Sequence, residues 1–247
     1  YEQGDDYRAI DWNVSARMGS PYVKLFAEER ELTLLLVVDR SGSVEFGDPL
    51  AKSHLAVEIS AVLALAAARN NDRVGAVIFS EGVDHIVPPA KGKKHALRVI
   101  RDLAMFRPVR RRTNIAAVLS YTAKLLTYRA IVVIVSDFRD VGWEKQLAKI
   151  ASRHEVVAIT IDDPREMELP DAGWVELEDA ETGDRLLVDT SDGESRLRMR
   201  IAAEEARLNR ARALEQSGAD HLALRTDRPY AGPMHEKFAQ RARRYRR

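Results

Sequence analysis

Asp39, Ser41 and Ser43 place three hard oxygen donors within five residues, in the run Asp39-Arg40-Ser41-Gly42-Ser43, directly after the apolar stretch Leu32-Thr33-Leu34-Leu35-Leu36-Val37-Val38. Two further oxygen donors stand in comparable settings. Thr113 precedes a helical pattern, and Asp137 follows the apolar run Ala130-Ile131-Val132-Val133-Ile134-Val135-Ser136. Carboxylates and hydroxyls with no His or Cys beside them suit a hard cation such as Mg2+, which prefers octahedral oxygen coordination and usually keeps several waters. Two carboxylates offset the cation's charge, and three neutral hydroxyls leave it able to take one more anion. Ser and Asp also gather at strand ends for a plainer reason, because they bond the backbone of the loop they sit in. The short string alone is compatible with either origin; the added demand for Thr113 and Asp137 favours the cation site.

Holding these residues together requires a sheet. The runs 32–38 and 130–135 do not alternate, so they read as strands covered on both faces, which implies a parallel sheet packed by helices. In a doubly wound sheet the first strand lies at the centre and the strand after the crossover pairs on its other side. Their carboxyl ends flank the switch point where ligands bind. Asp39 and Asp137 fall at those two ends. Helices are predicted over 51–69, 93–105, 115–126, 143–152, 194–216 and 235–247, and further strands over 73–79, 83–87, 156–161 and 221–225. Asp48-Pro49 supplies an N-cap and first-turn proline for 51–69, whose buried stripe is read as Leu55, Ile59, Val62, Leu63 and Ala66. Thr113 or Asn114 caps 115–126. Strand 83–87 returns antiparallel across Glu81-Gly82, and Pro88-Pro89 breaks the chain after it. A polar hairpin over 174–188 turns at Thr182-Gly183-Asp184, with Trp174 and Met199 as hairpin or core packing. Residues 1–31 look irregular until Tyr22-Val23-Lys24-Leu25-Phe26, an edge strand or extended arm.

The expected fold is therefore α/β: a doubly wound, mostly parallel sheet with one antiparallel edge strand and helices on both faces. An N-terminal arm, 1–31, precedes a domain over 32–247. That domain includes a hairpin insertion, 163–193, and is completed by a helix–strand–helix segment, 194–247. With 247 residues, 45% of them hydrophobic, the chain can bury a sizeable core. Lys and Arg (39) nearly balance Asp and Glu (38), which argues against the global field of a nucleic-acid or membrane-surface protein. The absence of cysteine excludes disulfides, thiolate metal sites and a cysteine nucleophile, and fits a cytoplasmic setting. No stretch approaches the roughly 20 apolar residues of a membrane span. The chain begins at Tyr1 rather than Met, so it reads as a fragment, and a membrane anchor upstream would lie outside it.

Asp39-x-Ser41-x-Ser43, Thr113 and Asp137 resemble the metal-ion-dependent adhesion site (MIDAS) of the von Willebrand factor type A fold. The resemblance implies that the three hydroxyls contact Mg2+ (or Mn2+ or Ca2+) directly, that the aspartates act partly through water, and that the open position takes a carboxylate from a protein partner. Arg40 and Asn114 depart from the small or acidic residues frequent at the flanking positions. The run Gly4-Asp5-Asp6-Tyr7-Arg8-Ala9-Ile10-Asp11-Trp12-Asn13-Val14-Ser15-Ala16-Arg17, with Phe26-Ala27-Glu28-Glu29-Arg30-Glu31, extends the likeness. With it the chain resembles the bacterial "domain of unknown function 58" family, whose members join such a segment to a von Willebrand A domain. The resemblance implies an adaptor or assembly factor working with a MoxR-type AAA+ ATPase or its client, not an enzyme.

Other features have plainer readings. Asp5, Asp6, Arg8, Asp11 and Arg17 around Trp12 would clamp the arm as a buried ion network, or else form an interaction surface. Arg40, Arg107, Arg110, Arg111 and Arg112 would stand near the cation and attract an acidic partner loop, although charge runs are commonly solvated. The run Arg241-Ala242-Arg243-Arg244-Tyr245-Arg246-Arg247 suits a helix end whose cations complement the macrodipole. No two of the six histidines have metal-ligand spacing. The rival function is a Mg2+-dependent phosphohydrolase with Asp39 as nucleophile, but that chemistry wants a second acid close by and Ser41 occupies the obvious position. Nucleic-acid binding through the arginine loop and tail is a third reading, opposed by the balanced charge.

Overall fold

The computed structural model describes residues 6–23, 31–44, 52–107 and 112–244, and side chains no further than Arg241. The chain divides into two compact units, Tyr1–Glu31 and Leu32–Arg247. In the first, Asp6 caps a 3-10 turn over Tyr7–Ala9 and Asp11 caps helix α1, Trp12–Met18, by accepting from the backbone N–H groups of Asn13 and Val14. Gly19 ends the helix in the left-handed region at φ 73°. Ile10 and Val23 pair in an isolated antiparallel bridge. The expectation of an irregular arm missed this helix, and the expected buried ion network is replaced by capping: Asp6, Arg8 and Arg17 are exposed, as is Trp12. Asp5 and most of the 22–26 segment lie outside the described residues.

The second unit contains β1 (Thr33–Asp39), α2 (Lys52–Arg69), β2 (Arg73–Phe79), β3 (Val83–Ala90), α3 (Lys93–Met105), α4 (Ile115–Leu125), β4 (Ile131–Ser136), α5 (Glu144–Ala151), β5 (Glu155–Asp162), β6 (Trp174–Glu178), β7 (Arg185–Asp189), α6 (Gly193–Gln216), β8 (Asp220–Arg225) and α7 (Ala231–Arg244). Six strands form one sheet in the order β3-β2-β1-β4-β5-β8, and β6 and β7 form a separate hairpin. Every neighbouring pair in the large sheet is parallel except β2 with β3. This is the expected doubly wound sheet with one antiparallel edge strand.

Side chains on a strand alternate between faces, and here both faces are buried. Leu34, Leu36 and Val38 of β1 pack with α2 and α3, while Leu35 and Val37 pack with α4 and α5. β4 divides the same way, with Val133 and Val135 on the α2 face and Val132 and Ile134 on the α4 face. That parity decides where the residues beyond the strand ends are aimed.

Two local expectations fail for identifiable reasons. β3 does not stop before Pro88-Pro89 but continues to Ala90, because an edge strand needs no backbone donor on its open side and a register irregularity between Val74 and Ala76 accommodates the prolines. Gly75 makes this possible: a Cβ there would meet the Pro89 nitrogen and the Val87 carbonyl oxygen, each at 2.7 Å. Gly75→Ala should therefore lower stability by about 1–3 kcal/mol through overpacking, read from the urea midpoint, and an unchanged midpoint would mean that β3 yields freely. In α2 the buried stripe is Ala56, Ile59, Ser60, Leu63, Ala64 and Ala67, whereas Val62 is exposed. Apolar residues occur on every side of this helix, so pattern alone does not specify its face; the small residues settle against the sheet because they let the helix approach closely. The Ser60 hydroxyl is buried without penalty by donating to the Ala56 carbonyl at 2.6 Å.

Candidate functional site

Asp39 continues the parity of Leu35 and Val37, toward the α4 face, and Ser136 continues that of Val132 and Ile134 toward the same face. The two side chains meet: the Ser136 hydroxyl donates to Asp39 Oδ2 at 2.6 Å. Asp39 Oδ1 accepts from the Ser41 backbone N–H at 2.9 Å, which turns the loop back on itself and sets the Ser41 and Ser43 hydroxyl oxygens 3.1 Å apart. Asp137 has the opposite parity and faces α2, where Lys52 donates to Asp137 Oδ2 at 2.9 Å and to Glu166 Oε1 at 2.8 Å. Arg139 closes the group by donating to Glu166 Oε2 at 2.9 Å. Phe138, between these anchors, adopts the left-handed region at φ 51°, an uncommon backbone for a bulky residue. Its ring is held edge-on to Trp143.

Thr113 is brought to the same end of the sheet by backbone contacts on both sides. Asn114 N–H donates to the Ser80 carbonyl, next to Phe79, which stands in register with Asp39. Asp140, three residues beyond Asp137, accepts from the Ile115 N–H at 2.8 Å. Asn114 is the N-cap of α4, accepting from the Ala117 N–H. The Thr113 hydroxyl is thereby released from capping, and it donates to Glu181 Oε1 at 2.6 Å while its backbone N–H approaches Glu181 Oε2 at 3.3 Å. Glu181 lies in the turn between β6 and β7. A cleft of about 630 Å³ runs beneath that turn and is lined by Ser43, Arg139, Glu166 and Glu181, so the hairpin tip and the Asp39 loop share one space.

The two strand-end aspartates sit in opposite electrostatic settings. Asp39 is fully buried, and burial together with the nearby Asp137 charge raises its pKa to about 7. Burial would raise Asp137 too, but the Lys52 ammonium and then Arg139 outweigh it and hold that carboxyl below the usual range. Among the described residues, the carboxylates of Asp39, Asp137, Glu166 and Glu181 thus share this end of the sheet, with Lys52 and Arg139 paired to Asp137 and Glu166. The donor set fits a small divalent ion. The oxygens of Ser41 and Ser43 are spaced close to the edge of a Mg2+ octahedron, about 2.9 Å for ligands at about 2.05 Å. Among the described residues no three His, Asp or Glu side chains converge as a metal centre, so the hydroxyls are required as donors. When bound, such an ion would supply a Lewis-acidic seat for an anionic group.

The arginines divide. Arg40, expected on a partner-facing surface, is instead buried, and it donates to the carbonyls of Leu103 and Phe106 at the end of α3. Its long side chain satisfies helix-end acceptors that would otherwise be orphaned. Arg112 is exposed beside Thr113, and Arg107 is also exposed. Arg110 and Arg111 lie outside the described residues. Trp174 and Met199 are exposed rather than packed in a core. Lys52, Ser136, Glu166 and Glu181 were not singled out in the sequence. Only Ser136 carried a local signal, a hydroxyl at the end of an apolar strand; the others reach the site across 85 residues or more, or 68 for Glu181.

Comparison with known proteins follows the same line. Residues 1–211 match the family model described as "Protein of unknown function DUF58". "Uncharacterized protein Rv1480" of Mycobacterium tuberculosis is 36% identical over 249 residues, covering 98% of this chain and 78% of that protein. Among solved structures, the conserved hypothetical protein BatB from Bacteroides thetaiotaomicron superposes with a TM-score of 0.57 at 12% identity, over 86% of this chain and 99% of that one. An aerotolerance-related membrane protein from Bacteroides fragilis gives 0.56 at 16% identity, over 84% and 96%. At such identities the likeness is one of fold. No helix among the described residues is long and apolar enough to cross a membrane.

Proposed function

We propose, for a chain that belongs to the DUF58 family, a metal-dependent protein–protein interaction domain of von Willebrand A type rather than an enzyme. Asp39, Ser41, Ser43, Thr113 and Asp137 would hold Mg2+, and the ion would grip an Asp or Glu side chain. The observation that carries this reading is the pair of buried carboxylates beside two converging hydroxyls at the carboxyl ends of adjacent central strands. A carboxylate replacing water on the ion makes a charge-assisted contact that neither protein surface supplies alone. Arg112 beside Thr113 would add attraction for an acidic loop.

The partner we assign is a MoxR-type AAA+ ATPase or its client, in the cytoplasm; the support is the family resemblance. In the test, the immobilised chain is offered a purified MoxR-type ATPase from the same genome. Retention by the wild type in Mg2+, release by EDTA and no retention by Asp39→Ala are the expected results. Retention that ignores both would refute metal bridging, and metal-dependent turnover of a phosphate ester that Asp39→Asn abolishes would move the site to the enzyme class.

A further inference from the structure

Glu181 is the carboxylate that meets the Thr113 hydroxyl. The turn presenting it is built by its own sequence. Asp179 Oδ1 accepts from the backbone N–H groups of Glu181 and Thr182, each at 2.8 Å, and Gly183 takes φ 77° while its N–H donates to the Asp179 carbonyl. At the other end, buried Thr190 ties the hairpin base: its N–H and its hydroxyl both donate to the Gly173 carbonyl, at 2.7 and 2.8 Å. Between these two anchors β6 and β7 pair only with each other, and Leu186 and Leu187 are exposed. Among the described residues, the tip's hydrogen bonds to the rest of the unit run from Thr113 to Glu181.

That fastening is chemically unbalanced. Among the described residues Glu181 makes no ion pair, and its two oxygens are met by a neutral hydroxyl and a neutral amide. A half-buried carboxylate in such company gains most from a cation placed beside the same hydroxyl. Resting on the reading that Thr113 and its four companions hold a divalent ion, we propose that Glu181 is the chain's own ligand for that ion. It takes the position otherwise open to a partner's carboxylate, so an acidic partner engages only by displacing the hairpin tip and entering the cleft beneath it. The site's specificity then includes the work of moving the tip, and weak carboxylate ligands are rejected.

The test uses the full chain with Mn2+ as the metal, read by water-proton relaxation, which reports both affinity and the number of exchanging waters on the ion. Glu181→Gln is expected to weaken Mn2+ binding about tenfold and to raise its hydration by one water. In Glu181→Ala, millimolar acetate should remove that extra water, whereas in the wild type acetate should change nothing. The Asp179-based turn leaves both variants folded, which circular dichroism checks. Should Asp39→Asn abolish Mn2+ binding while Glu181→Gln alters neither affinity nor hydration, the cation site stands and the self-ligand is refuted. If Asp39→Asn leaves binding intact, the underlying site itself is refuted.

Discussion

Lys52→Met is expected to destabilise the metal-free protein by about 3–5 kcal/mol, because it removes one member of a buried ion cluster and strands the others. The Lys52 side chain is 0% exposed, and its partners Asp137 and Glu166 are 2% and 8% exposed. Methionine keeps the length and the packing of the stem, so the loss isolates the charge. Without the ammonium, the cation left to Asp137 and Glu166 among the described residues is Arg139, whose Nε lies 3.8 Å from Asp137. A divalent ion bound at the neighbouring hydroxyls would restore positive charge to Asp137. The deficit in urea denaturation should accordingly shrink when Mg2+ is added, and the variant should bind Mg2+ more tightly than the wild type because a like charge is gone. A loss below about 1 kcal/mol, the range of exposed pairs, would show that water reaches this cluster.

Asp39→Asn should erase the Mg2+ response without unfolding the chain. Mg2+ at a hundred times its Kd would stabilise the wild type by about 2.7 kcal/mol, and the variant by essentially nothing. The pH dependence sharpens the expectation. Asp39 has a folded pKa of about 7 against an unfolded value near 3.8, so between those limits the folded state holds a proton that the unfolded state has released. Stability contributed by this group is therefore greatest at the acid end of the window and declines as pH rises from about 4 to about 7 in the metal-free protein. Asp137, held low by Lys52, works in the opposite sense, its contribution being lost as pH falls through the acid range. Mg2+ must displace the Asp39 proton, so its stabilising effect grows between pH 6 and 8 in the wild type. Asparagine removes both trends, and at pH 8 the metal-free variant should be no less stable than the wild type. A Mg2+ shift that persists in Asp39→Asn would place the ion elsewhere.

Much of the scaffold follows from short-range pattern. Uninterrupted apolar runs ending in Asp39 and Ser136-Asp137 mark the two central parallel strands, since only strands buried on both faces omit polar alternation. Asn114 before an apolar helix announces its capping role through a side-chain acceptor that reaches the Ala117 N–H. The same locality explains the errors. Proline read as a breaker at 88–89 is permitted on an open edge, and in α2 polar residues such as Lys52 and Ser60 are buried while Val62 is exposed, so its face is settled by the sheet, which selects the small side chains.

The gathering of Asp39 with Ser41, Ser43 and, through topology, Asp137 was determined by the sequence itself, because strand order and parallel register are consequences of residue order. What only the tertiary structure decided is which charges answer them. Lys52 looks like the solvated start of a helix and Arg40 like a surface cation, yet one is buried on Asp137 and the other on the carbonyls that end α3. Glu181 looks like any acid in a polar turn until the hairpin lays it on Thr113. Long flexible side chains choose partners through space, with energies that depend on burial and distance rather than on sequence separation. Their roles emerge only once the backbone has folded.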